Sequence, residues 1–352
     1  MRWAVLLSGT LLYAALYSAV PLLPALERLF GTAPGSAGPG ISLPFIALVL
    51  LSPLVPRIRR PVGQVLGGGL WLVGVFGVMA ALAPTLEVWL AARALQGAAA
   101  AAVPGLSLAL IPRLFPNRAQ EMAGLWVAGN VLGGGLGRAL GGFLGDALGE
   151  RLALLLLTLP VAIPALWLLR ERKTLALPTP TYSLKAWPLY LIGFSLLFIN
   201  FFTANLLPYR LEALGLSKAQ IGGVMLAYLA GIPGSALAGT LARRLGEVRA
   251  LRLAFLVAVL GLLIQLPDEP LAILLGFVVM MAGLFTAQGI GGGASGRQGS
   301  GVSGTYVAAF YLGGAVAGIA YPPLLGQSPG WGLAVGIAVS LAAFALAGRA
   351  LR

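Results

Sequence analysis

Long apolar segments recur along this whole chain with only short connections between them, and that pattern limits what it can fold into. A bilayer crossing takes about 20 consecutive apolar residues. Twelve stretches qualify, at approximately 3–26, 38–56, 63–83, 86–111, 122–145, 151–169, 187–208, 219–240, 249–267, 270–291, 302–325 and 330–348. Only 9% of the residues are charged, against about 25% in a soluble domain. The expectation is an all-α polytopic membrane protein with 12 transmembrane helices. The first apolar stretch is too long for a signal peptide, contains Tyr13 and Tyr17, and is followed by no clear A-x-A site, so it reads as an uncleaved first helix.

A formal charge of +13 suggests nucleic acid in a soluble protein, but here the basic residues must first be placed relative to the bilayer. With both termini inside, only Arg28, Arg151, Arg210 and Lys218 fall outside, and two more, Arg93 and Arg138, lie away from the ends of their spans. The inner connections then hold 17 of the 23 basic residues. That asymmetry is the positive-inside pattern, so it fixes cytoplasmic termini in a plasma (inner) membrane and accounts for the charge without nucleic acid.

The chain has no cysteine and no histidine, which removes thiolate sites, the commonest metal ligand and the commonest general base. Gly289 to Gly293 follows an apolar helix and no strand, so it is not a nucleotide loop. No P-loop, H-E-x-x-H or nucleophile-elbow pattern occurs. No enzyme activity, cofactor or metal is implied, and the sequence holds no ATP-binding motif.

The longest polar connection, Arg170 to Ala186, divides the spans into six and six. The expected organisation is an N-terminal six-helix bundle at 1–172, a cytoplasmic linker at 173–186 and a C-terminal bundle at 187–352. A weak internal echo supports two parallel repeats: Ser52 to Ile58 follows the second span, and Gly239 to Leu245 follows the eighth.

Two segments carry chemistry inside the membrane. In the fifth span Gly129, Gly133, Gly137 and Gly141 recur every four residues, forming a stripe without side chains along which another helix can pack closely. The same segment holds Asn130 and Arg138, and an arginine at a helix centre costs about 2.5–3.5 kcal/mol on the most lenient scale. In the fourth span Arg93 and Gln96 are three residues apart and share a face, and Gly97 permits close approach. Arg93 serves either a functional cavity or a structural bond to backbone carbonyls; intramembrane charges usually favour function.

These segments resemble motifs of the major facilitator superfamily, in particular its bacterial drug-efflux or arabinose-efflux permeases, and the resemblance spans essentially the whole chain. Arg93-Ala94-Leu95-Gln96-Gly97 is similar to the family's R-x-x-Q-G motif, whose arginine is implicated in proton or substrate handling. The segment Gly129 to Gly142 resembles the antiporter motif, with Arg138 where many relatives have proline. The family's G-x-L-A-D-R-x-G-R loop motif is eroded: Pro56 and Arg243 stand at its aspartate positions. The resemblance also implies that Tyr13 and Tyr17 in the first span, Asn200 and Asn205 in the seventh, and Gln288 in the tenth line a central cavity.

Proton coupling ordinarily needs a carboxylate within a helix. The ten acidic residues map to span ends or connections, and Ser18 stands where efflux relatives often carry an acid. Arg93 and Arg138 therefore suggest a site for an anionic or carboxylated substrate, with structural bonding of each arginine to helix carbonyls as the alternative. The expected function is a secondary transporter exporting small amphipathic or anionic organic compounds, acting as a monomer in the lipid bilayer. An organic-acid importer or facilitator without proton coupling comes second, and a non-transporting receptor or scaffold third.

Overall fold

The computed structural model describes residues 1–171, 181–325 and 329–351. No strand occurs among them. In the N-terminal half the chain forms α1 (Arg2–Tyr17), α2 (Leu23–Phe30), α3 (Pro39–Leu51), α4 (Val62–Ala81), α5 (Leu86–Ala100), α6 (Val103–Leu114), α7 (Ala119–Leu148), α8 (Glu150–Thr158) and α9 (Ala162–Leu169). The C-terminal half forms α10 (Trp187–Ala213), α11 (Lys218–Met225), α12 (Gly231–Leu245), α13 (Glu247–Ile264), α14 (Pro270–Arg297), α15 (Ser300–Ala320) and α16 (Pro329–Ala350).

Several expected spans are two helices in line rather than one rod. Span 3–26 is α1 and α2, 86–111 is α5 and α6, 151–169 is α8 and α9, and 219–240 is α11 and α12. Each break lies at or just before a proline: Pro21, Pro104, Pro160 and Pro233. Proline has no N–H, so the carbonyl four residues earlier loses its helical donor and the turn loosens. Gly31, with φ 66°, ends α2 in the left-handed conformation that glycine adopts without a Cβ penalty.

Ten stretches among the described residues are long and apolar enough to cross a membrane, several of them running through such breaks. The other two expected spans are also continuous helices, α7 and α13. Glycines, Asn130 and Arg138 dilute the apolar character of α7, while Glu247, Arg249 and Arg252 occupy the first turns of α13. Length and composition therefore support ten of the twelve expected crossings.

Contacts divide the chain into two compact units, Met1–Thr179 with Ser217–Gly223, and Pro180–Leu216 with Val224–Arg352. The start of α11 thus belongs with the first unit, inside the range expected for the C-terminal bundle. Most of the expected linker at 173–186, with Lys173, lies outside the described residues. In the first unit α1 packs along α7, while α3, α4 and α5 form a second layer. In the second unit α10 packs on α15 and α16, and α14 on α12 and α13.

Candidate functional site

The glycine stripe of α7 meets an equally regular row on α1. A Cβ added at Gly129 would lie 2.5 Å from Thr10 Oγ1, at Gly133 2.0 Å from the Thr10 carbonyl oxygen, at Gly137 2.4 Å from that of Ala14, and at Gly141 2.2 Å from that of Ser18. Both rows advance four residues at a time, so the two backbones touch without intervening side chains.

Arg93 is 3% exposed and holds the first unit together through backbone oxygens. Its Nε donates to the Gly40 carbonyl of α3 at 2.9 Å and its Nη2 to the Leu16 carbonyl of α1 at 2.6 Å. Nη1 donates to Gln96 Oε1, and Gln96 Nε2 donates to the Val73 carbonyl of α4 at 3.3 Å. The acceptors follow from local sequence. Pro44, four residues after Gly40, has no N–H to offer that carbonyl, and Leu16 lies in the last turn of α1, where carbonyls lack helical partners. Gly97 places α5 directly against this site, since a Cβ there would lie 2.1 Å from the Pro44 carbonyl oxygen.

Arg138 reaches the same end of α1 from α7. It is 1% exposed, its Nη1 donates to the Gly134 carbonyl at 3.1 Å, and its guanidinium carbon lies 4.1 Å from the centroid of the Tyr17 ring. Tyr17 in turn sits 5.6 Å from Tyr13 and stacks on Phe45 at 5.7 Å, centroid to centroid. A cation over an aromatic face in a water-poor site is held by about 2 kcal/mol. The two arginines converge on the consecutive residues Leu16 and Tyr17. Ser18, next in line, is buried and donates to the Ala15 carbonyl at 2.9 Å.

Asn130 lies two turns from Arg138, roughly 12 Å along α7. Its Oδ1 occupies the space above Gly9, where a Cβ would lie 1.9 Å away, and has no hydrogen-bond partner among the described residues. Nearby, Ser8 and Ser107 share a hydrogen bond of 3.0 Å and Trp126 Nε1 donates to Ser8 at 3.4 Å. This polar group was not singled out in the sequence, where Ser8 and Ser107 are lone small residues 99 positions apart.

No acidic side chain joins the arginines in the contacts described. Glu87 and Asp146 are exposed. Among the described residues Glu27 is the one buried acid, 3% exposed, and its Oε1 accepts the Ala37 N–H at 2.9 Å, tying the end of α2 to the approach of α3.

On the second unit the candidates make separate contacts. Asn200 and Asn205 are five residues apart on α10, about 140° around the helix. Both are buried; Asn200 Oδ1 and both amide atoms of Asn205 have no hydrogen-bond partner among the described residues. Phe194, Phe198 and Phe202 stack in series beside them, with centroids 5.8 and 5.3 Å apart. Gln288 Oε1 accepts the Tyr306 hydroxyl at 2.9 Å.

A family model for the Major Facilitator Superfamily matches residues 5–322. The chain belongs to that superfamily. It is a multi-pass membrane transporter, as its relatives are. An uncharacterized transporter of Buchnera aphidicola subsp. Schizaphis graminum (strain Sg) is 26% identical over 315 residues, covering 82% of this chain and 74% of the relative. The uncharacterized MFS-type transporter YybF of Bacillus subtilis (strain 168) is 23% identical over 342 residues, covering 90% and 85%. Among solved structures, a bacterial homologue of the human lysosomal transporter Spinster, inward-facing and occupied, superposes with a TM-score of 0.77 at 16% identity, covering 99% of this chain and 96% of that one. Its unoccupied form gives 0.73 at 14% identity, covering 99% and 94%. At these identities the likeness is one of fold.

In this superfamily member the sequence pointed to the arginines but not to their acceptors. Pro44 at four residues beyond Gly40 was the available signal, because a proline within a helix advertises a carbonyl in need of a donor.

Proposed function

We propose that this superfamily member is a secondary transporter that exports small amphipathic or anionic organic compounds by alternating access. The anionic preference rests on Arg138, a buried cation held over Tyr17 and beside Tyr13. The rings offer a surface for an apolar body and the guanidinium complements a carboxylate. Arg93 and Gln96 act as positioning residues, since the Arg93 donors are engaged by protein oxygens. In the second unit, taken by itself, Asn200, Asn205 and Gln288 are the amide candidates.

The reading places the protein as a monomer in an inner membrane with both termini cytoplasmic. Its ion pairs fit the expected sidedness of the connections, because Lys218–Glu150 at 2.8 Å and Arg210–Asp268 at 2.9 Å each join residues expected on one side and Arg297–Glu247 joins two expected on the other, while the orientation rests on the asymmetry of basic residues. A second reading, import or facilitated diffusion of an organic acid without proton coupling, is favoured by the acid positions: Glu27 alone is buried among the described residues, and it lies three residues before the end of α2.

Reconstitution into liposomes with an internal pH dye and a panel of carboxylated and amphipathic solutes tests both. Solute flux that moves protons supports the exporter, and solute flux without proton movement supports the facilitator. No flux with any compound overturns both and leaves a receptor role.

A further inference from the structure

Near the start of α13, in the second unit, stands a guanidinium that no protein oxygen takes up. Arg252 lies against α16, with its guanidinium carbon 5.3 Å from the centroid of the Phe344 ring. Gly348 follows one turn later on α16, and a Cβ there would lie 3.3 Å from Arg252 Nη2, so the missing side chain leaves the group room. Arg93, Arg210 and Arg297 each donate to protein oxygens. Arg252 makes no hydrogen bond or ion pair among the described residues. Its Nε is enclosed by the protein, whereas the terminal nitrogens of this half-buried side chain keep access to the surroundings. A guanidinium offers five N–H donors, and an anion satisfies them best.

The chain itself supplies little negative charge there. Glu247, at the start of α13, is paired with Arg297. Glu212, Asp268 and Glu269 lie at or beyond the far ends of α10 and α13, and the sequence holds no acidic side chain from Pro270 to Arg352, which covers α14, α15 and α16. Arg249 and Arg349, both exposed, add two further cations at the same ends of α13 and α16.

The same face of α13 continues as hydrocarbon. Arg249, Arg252, Leu256, Leu260 and Leu263 recur at spacings of three and four residues, so they share a face about 80° wide. The three leucines are 46, 51 and 45% exposed. Cations at one end and bare leucines along the rest match the layout of a phospholipid, and a soluble anion would leave the leucines unused. The asymmetry of basic residues puts that end of α13 on the expected inner side, where anionic lipids gather.

We propose that the seam of α13 and α16 binds an anionic phospholipid of the inner leaflet. Its phosphate meets Arg252, with Arg249 and Arg349 beside the headgroup, and one acyl chain follows Leu256 and Leu260. The site is separate from that of the transported solute, so its occupancy and the direction or coupling of transport are independent questions.

Photolabelling of the full chain tests this, in nanodiscs of phosphatidylcholine that carry a trace of phosphatidylglycerol with a diazirine midway along one acyl chain. Leu260 lies about 12 Å along α13 from Arg252, so adducts read by peptide mass spectrometry are expected at 256–263 and on α16 near Leu341. Unlabelled phosphatidylglycerol should compete, whereas equal amounts of phosphatidylethanolamine or of soluble glycerol phosphate should not. Arg252→Ala should cut labelling about tenfold, through the lost charge-assisted hydrogen bonds, and Arg249→Ala about fivefold. Arg59→Ala removes an exposed cation of the first unit, also expected inside, and should leave labelling unchanged. Should Arg252→Ala fail to give a monodisperse protein, Gly348→Leu replaces it, because it covers the guanidinium while keeping every charge. Competition by glycerol phosphate equal to that by phosphatidylglycerol assigns the site to a soluble anion and overturns the proposal. Equal competition by phosphatidylethanolamine, or an equal loss in Arg59→Ala, overturns it too, as do adducts scattered over the helix surfaces and indifferent to Arg252→Ala.

Discussion

The guanidinium of Arg138 rests on the ring of Tyr17, 4.1 Å from its centroid, one residue beyond the Leu16 carbonyl that Arg93 occupies. Two buried cations meet at the C-terminal end of one helix. That end carries roughly half a negative charge from aligned peptide dipoles, and Pro21 leaves the Tyr17 carbonyl without its helical donor. For Arg93 the membrane cost is offset by backbone carbonyls, and for Arg138 in part by the Tyr17 ring and the Gly134 carbonyl.

Arg138→Ala should abolish solute flux in liposomes while the protein stays folded and monodisperse. Tyr17→Leu removes the ring that holds the guanidinium, a loss of about 2 kcal/mol, and should lower flux at least tenfold. Normal flux in Arg138→Ala would remove Arg138 from the substrate site.

Arg93→Ala strips the Gly40 and Leu16 carbonyls of their donor and should destabilise the folded protein by about 1–3 kcal/mol for each group left unsatisfied. Pro44→Ala restores an N–H within reach of the Gly40 carbonyl. In that background the cost of Arg93→Ala should fall by about 1 kcal/mol, measured as a double-mutant cycle of thermal or denaturant stability. Simple additivity would show that Pro44 does not create the acceptor.

Glycines within α7 should differ in sign. A Cβ at Gly133 meets the Thr10 backbone, which has nowhere to retreat, so Gly133→Ala should cost about 1–3 kcal/mol. Gly124 has open space at the same position, and Gly124→Ala should gain up to about 1 kcal/mol of helix propensity. Melting temperatures of the two variants in one detergent check the contrast.

Asn205→Leu replaces a buried amide, with neither atom bonded among the described residues, by a side chain of similar volume. Stability should hold or rise, since an unsatisfied polar group is removed, while flux should fall at least tenfold on the proposal that this amide meets the substrate. Unchanged flux would make Asn205 a passive part of α10.

The glycine stripe and the shared face of Arg93 and Gln96 were legible because both are spacings within one helix, and helix geometry fixes what such spacings do. The partners of those residues were not. Gly40, Leu16 and Tyr17 reach Arg93 and Arg138 through pairings 53, 77 and 121 positions apart, which local periodicity does not encode. The same limit applied to the spans: twelve apolar stretches could be counted, but Pro21, Pro104, Pro160 and Pro233 split four of them. The charges that make α7 and α13 poor spans by composition belong in part to the site itself, Arg138 above all.

The seam between α1 and α7 also sets an order of assembly. Thr10 is made 123 residues before Gly133, its partner. At about 5–20 residues per second of synthesis, α1 waits on the order of ten seconds in the membrane for the glycine row that packs on it. The oldest helix of the first unit is therefore finished late, and a chain interrupted before Leu148 would present quality-control machinery with a first helix that has lost its cover.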